Sequence, residues 1–162
     1  MMEPLPNRRR LLLATGLCVW SPRLLAHHGW SSFDETRPLY VEGVVRGVKW
    51  QNPHGELQIE TPAEIRLPAD LASRVVPKQS YPVDGAALLG KARAPSYSAR
   101  AWTLELAPVS RLDAWSLRAP APGTQVAAIG YSHPTRQDAM MRVEYLFVGQ
   151  NIYGLRSLPA PA

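Results

Sequence analysis

Cysteine is nearly absent from this sequence: Cys18 is the only one among 162 residues. The residue immediately before it, Leu17, is not the small residue that a lipid-attachment signal needs there. Downstream of Cys18 there is therefore no thiol for a disulfide, a thiolate metal site or a cysteine nucleophile. Long hydrophobic runs are also missing. Apolar residues make up 46% of the chain, yet no stretch reaches the roughly 18 uninterrupted apolar residues of a membrane span. Nor is there a nucleophile elbow, a phosphate-cradling glycine loop or a zinc-protease helix motif, so an enzyme is the less favoured class.

What is there begins with a leader. Arg8-Arg9-Arg10 feeds a short apolar run from Leu11 to Trp20, and Ser21-Pro22 breaks it before Arg23-Leu24-Leu25-Ala26. A basic region, an apolar region and a small residue are the parts of a signal peptide, and residues 1–26 read as one, cut between Ala26 and His27. Asn7-Arg8-Arg9-Arg10-Leu11-Leu12 also resembles the twin-arginine signal. The expected location is the periplasm or the cell exterior, with no membrane span in the mature form. Loss of Arg8, Arg9, Arg10, Arg23 and Glu3 takes the 18 basic and 13 acidic residues to 14 and 12. Such a balance offers no electrostatic footprint for nucleic acid.

Residues 27–162 read as a single domain rich in strands. Leu39 to Trp50 is dense in β-branched and aromatic residues, with Gly43 and Gly47 placed where one long strand can bend. Gln51-Asn52-Pro53 is turn chemistry, and Leu57 to Thr61 alternates as the returning strand of a hairpin. Strands are expected again at Ala101–Leu106, Thr124–Tyr131, Met140–Val148 and Ile152–Arg156, with a turn or short helix over Arg111–Leu117. Residues 62–99 carry Pro62, Pro68, Pro77, Pro82 and Pro95 and no sustained period. They read as a long irregular surface insertion with a short helix over 69–74. The tail Leu158 to Ala162 reads as frayed. The fold class expected is all-β, a small Greek-key barrel of the oligonucleotide/oligosaccharide-binding (OB) type.

Three segments carry a likeness: His27-His28-Gly29-Trp30-Ser31-Ser32-Phe33-Asp34, Leu39-Tyr40-Val41-Glu42-Gly43-Val44-Val45, and Val48-Lys49-Trp50-Gln51-Asn52-Pro53-His54. They resemble a family of uncharacterised bacterial secreted proteins labelled as a domain of unknown function. Its marks are a His-His pair after the leader, a glycine-bent strand and an Asn-Pro-His turn. The resemblance implies a periplasmic barrel-like domain and no established activity.

The histidines carry the chemistry. A cut after Ala26 gives His27 a free α-amine, with a pKa of about 7.7–8.0 in unperturbed chains, beside its own imidazole. Amine, ring and a second imidazole make the all-nitrogen set that Cu(II) favours. His54 at the start of the second strand, or His28, is the candidate for that second ring. Asp34 or Glu56 is the candidate outer carboxylate that fixes a ring tautomer. Plainer readings stand beside these: a histidine pair is an ordinary polar chain end, and His54 caps a turn with Asn52. His133, between Ser132 and Pro134, reads as a turn residue. The expected partner is then a metal ion or small ligand, copper first, or another exported protein. The alternative class is a binding module with no metal, in which Trp50 and Trp102 form the ligand face. A copper-dependent oxidoreductase is the third.

Overall fold

The computed structural model describes residues 29–96, 99–135 and 139–161. The leader, His27 and His28 lie outside the described residues.

Strand β1 (Leu39–Lys49) is long enough to serve two neighbours. Leu39 to Val44 pair antiparallel with β4 (Gln125–Tyr131), and Val44 to Lys49 pair antiparallel with β2 (Glu56–Glu60). Gly43 stands at the changeover, where a Cβ would run into the carbonyl of Glu60. A bulge follows between Val45 and Gly47. The bend expected at the two glycines is thus present, and its cause is the close approach of backbones.

β2 pairs antiparallel with β3 (Ala101–Glu105), and β4 with β5 (Met140–Val148). Closure comes from a parallel pairing in which Thr103, Leu104 and Glu105 of β3 meet Met140, Met141 and Arg142 of β5. The result is a closed five-strand barrel in the order β1-β2-β3-β5-β4, with β6 (Asn151–Gly154) added on the far side of β5. This is the OB-like barrel that the strand pattern predicts. Helix α2 (Val109–Ala114) links β3 to β4 and contributes Leu112 to the barrel core beside Val41, Leu57, Trp102, Leu104 and Met141.

The insertion departs from expectation. Instead of lying loosely on the surface, it buries Leu71, Leu88, Leu89 and Ala92 against Tyr40, Ile129, Tyr145 and Phe147 on the outer face of the sheet. Its one α-helix, α1 (Gly85–Lys91), is capped by Asp84, whose carboxylate accepts the Ala87 N–H at 2.9 Å. The segment 69–74 holds only a 3-10 turn over Leu71–Ser73. A seven-residue helix shows two turns at most, too few for a hydrophobic period to register in the sequence. With the barrel on one side and the insertion on the other, β5 is buried at seven consecutive positions, Met141 to Phe147. The tail is not frayed either: Ser80 N–H donates to Leu158 O at 2.8 Å and Ala160 N–H to Lys78 O at 3.1 Å.

If residues 62–99 form a second structural layer, truncating Leu89 will act on the whole domain. Leu89→Ala is expected to lower the urea-unfolding free energy by about 2–4 kcal/mol with a single transition. An unchanged midpoint would return the insertion to the status of a loop.

Candidate functional site

Strand β5 carries two charged residues within its buried run. Arg142 has a side chain only 7% exposed, and that of Glu144 is wholly buried. Glu144 occupies a bulge: Ile129 partners Tyr145 and Gly130 partners Val143, so Glu144 has no partner on β4. Gly130 is required opposite, since a Cβ there would meet the Arg142 carbonyl. Strand alternation from Met141 and Val143, which belong to the barrel core, puts Glu144 on the outer face, and the bulge lets Tyr145 share that face.

Outside the barrel two chain segments bond that carboxylate. Arg156, just beyond β6, donates Nε–H to Glu144 Oε2 at 2.7 Å, and Gln79 of the insertion donates to Oε1 at 3.0 Å. Gln79 in turn accepts the Ser157 N–H at 3.0 Å, and Gly154 leaves it room, because a Cβ would collide with the amide. Arg156 donates a second bond, Nη2–H to Glu35 Oε2 at 2.7 Å. Its guanidinium lies 3.9 Å from the centre of the Trp30 ring and 5.5 Å from that of Tyr81. Arg142 approaches the same Trp30 ring at 5.2 Å, and Tyr131 meets it edge-on at 6.3 Å. Arg111 of α2 anchors the backbone beneath, donating to the carbonyls of Leu155 and Arg156 at 3.0 and 2.7 Å.

Burial dominates the proton affinities here. It pushes the Glu144 carboxyl above its usual range, against the pull of Arg156 and Gln79. It drives the Tyr131 phenol up to about 12, helped by the nearby Glu144 charge. Loss of water lowers the Arg111 value, and the like charge of Arg142 adds to the effect.

His54 belongs to the same neighbourhood. The β1–β2 loop that carries it is tied down by Gly55 N–H to Ala107 O at 3.0 Å, Leu106 N–H to Gly55 O at 2.8 Å, and Val109 N–H to Asn52 Oδ1 at 3.2 Å. His54 Nδ1 lies 3.3 Å from Glu105 Oε1, and its side chain is 17% exposed. The Glu105 oxygen also accepts from Arg142 Nη1. A continuous line therefore runs from His54 through Glu105 and Arg142 to Trp30. Because the β2–β3 and β3–β5 pairings both hold Glu105, that line is set by barrel closure.

The other residues singled out from sequence lie elsewhere. Asp34 accepts from Thr36 N–H at 3.1 Å and Thr36 Oγ1 at 2.5 Å, a local turn, and Glu56 accepts from Lys49 Nζ at 2.8 Å. Trp102 is 1% exposed in the barrel core and Trp50 is packed against that core from its edge. The ligand face expected of this pair is not formed, because Trp102 has no accessible ring face to stack. His133 accepts Thr135 N–H at 3.3 Å in an exposed turn. Among the described residues no three His, Cys, Asp or Glu side chains gather as metal ligands. Sequence reasoning missed Glu105, Arg142, Glu144, Arg156 and Gln79. The one signal for them was charge at alternate positions of an otherwise apolar strand, Arg142 and Glu144.

Comparison with known proteins adds one finding. Residues 16–66 match the model of a family of unknown function, DUF6152. That segment holds His27, His28, Trp30, β1, His54 and β2, but not Glu105, Arg142, Glu144 or Arg156. No curated protein and no solved structure matches the chain.

The raised Glu144 value sets a sign for the effect of pH. Its folded carboxyl keeps a proton to higher pH than the unfolded one, near about 4.3. The stability it contributes is thus full below the unfolded value and is lost as pH rises through the folded one. Glu144→Gln is expected to flatten the decline in urea-unfolding free energy between mild acid and neutrality. A variant with the wild-type slope would assign that decline to other groups.

Proposed function

We propose that this protein is an exported binding protein that takes copper at His54 together with the amine and ring of His27, or with His28. The observation that carries the reading is the contact between His54 Nδ1 and Glu105 at 3.3 Å. A carboxylate there favours the tautomer whose lone pair is on Nε2 and increases the basicity of the ring, as in metal-ligating histidines. Support comes from the chain that follows His27-His28. It reaches Trp30 over Arg142, which is bonded to the same Glu105. The proposal includes removal of residues 1–26 and action in the periplasm or outside the cell.

A second reading, a small-ligand or protein-binding module with no metal, draws on a different surface. A groove of about 480 Å³ opens between residues 35–38, the insertion and Arg156, lined by Glu35, Pro38, Tyr81, Leu88, Lys91 and Arg156. Its size is that of a small-molecule site.

Calorimetric titration with Cu(II) of protein whose terminus is verified as His27 separates the two. One equivalent is expected to bind. His54→Ala should remove that affinity, and Glu105→Gln should weaken it about 10–100-fold. Absence of binding, or indifference to His54→Ala, would leave the groove as the reading to pursue.

A further inference from the structure

Arg156 fastens three parts of the chain at one point. It is bonded to Glu144 of β5 and Glu35 of the amino-terminal segment, and it lies beneath Trp30 of that segment. Among the described residues, 29–37 are also tied to the barrel by Asp34 N–H, which donates to Ser132 O at 3.1 Å, and by Trp30, which meets Tyr131 and Arg142. Trp30 and Phe33 add packing against the outer cluster. The segment is thus a strap laid across the barrel, and Arg156 is the latch that ion-pairs with it.

We propose that this strap is acid-released: protonation of Glu144 frees Arg156, and residues 29–37 lift from the barrel while the barrel itself stays folded.

The physical argument is a linkage. Glu144 is faced by Arg156 from the tail, Gln79 from the insertion, Glu35 from the strap, Tyr131 from β4 and its own neighbour Tyr145. Of these only Arg156 is a cation, and it pulls the carboxyl down against burial more strongly than Gln79 does. With Arg156 swung away, burial acts on Glu144 unopposed by that charge, so the unlatched state binds the proton more tightly than the latched one. Whatever binds one state more tightly draws the population toward it, and here that ligand is the proton. Protonated Glu144 still has Gln79 as a hydrogen-bond partner and no longer needs a counter-ion, so the barrel tolerates the change. Arg142, a second cation over the Trp30 ring, has Glu105 as its own partner and does not replace Arg156 at Glu144. On the copper reading, on which only this consequence rests, release would carry His27 and His28 away from His54 in acid.

The test needs no metal. Protein labelled with 5-fluorotryptophan is followed by fluorine NMR between about pH 8 and about pH 5, a range above the value of an unperturbed carboxyl. Trp30 is assigned by Trp30→Phe, and Trp102, buried in the barrel, reports the fold. The expected result is a Trp30 resonance that moves to the position of an unstacked indole in acid while the Trp102 resonance stays. Glu144→Gln should show the released Trp30 signal at both ends of the range. If that variant loses the Trp102 signal, Glu35→Gln, altered at the half-exposed end of the latch, should shift the transition toward neutral pH. A Trp30 resonance that does not move, or that moves only together with Trp102, overturns the proposal. Copper titration of the same samples is a separate readout, so a working strap without copper affinity would sink the metal reading alone.

Discussion

A carboxylate with no exposure to water, Glu144, sits on the bulge of β5, and it can remain there because Arg156 and Gln79 reach it from two distant parts of the chain. Removing either partner alone would leave a buried polar group wanting, at a cost of about 1–3 kcal/mol or more for a charge. The rest of the outer face follows from this contact. Gln79 fixes the insertion and, through Ser157, the tail, while Arg156 fixes the strap through Glu35 and Trp30. The contact also explains a glycine: Gly154 stands where the Gln79 amide must pass.

The barrel supplies the second constraint. Its parallel β3–β5 pairing sets Glu105 opposite Arg142, and the antiparallel β2–β3 pairing sets the same residue opposite Glu56, at the mouth of the loop that carries His54. Glu105 is therefore shared between a histidine on a tied-down loop and an arginine on the neighbouring strand. The insertion has a further role as the outer wall of the groove, which Glu35 and Thr36 of the strap also line.

The strands were legible because each shows period-two alternation or dense β-branching. The span Met140–Val148 agrees at both ends, and the glycine bend of β1 lies where Gly43 predicts. The hairpin followed from Asn52-Pro53. The second layer was not legible, since Leu71, Leu88 and Leu89 are scattered through a proline-rich segment and become a cluster only when they meet Tyr145 and Phe147. The tail misled for a similar reason: its prolines suggest fraying, while its backbone bonds go to residues about eighty positions away. Of the site, His54 was visible as a histidine in a rigid turn. Its carboxylate was sought nearby at Asp34 and Glu56, whereas Glu105 arrives from another strand.

Local chemistry alone determined the strand spans, the turn before His54 and the all-β class, because strand periodicity and turn preference act between residues a few positions apart. Which carboxylate meets the histidine, which cation neutralises Glu144, and the conversion of the insertion into a packed layer were decided only by tertiary structure. Those are pairings of buried charges and apolar faces between different elements, 12 residues apart for Glu144 and Arg156 and 65 for Glu144 and Gln79, and burial, which makes each pairing necessary, is a property of the closed barrel and of no single segment.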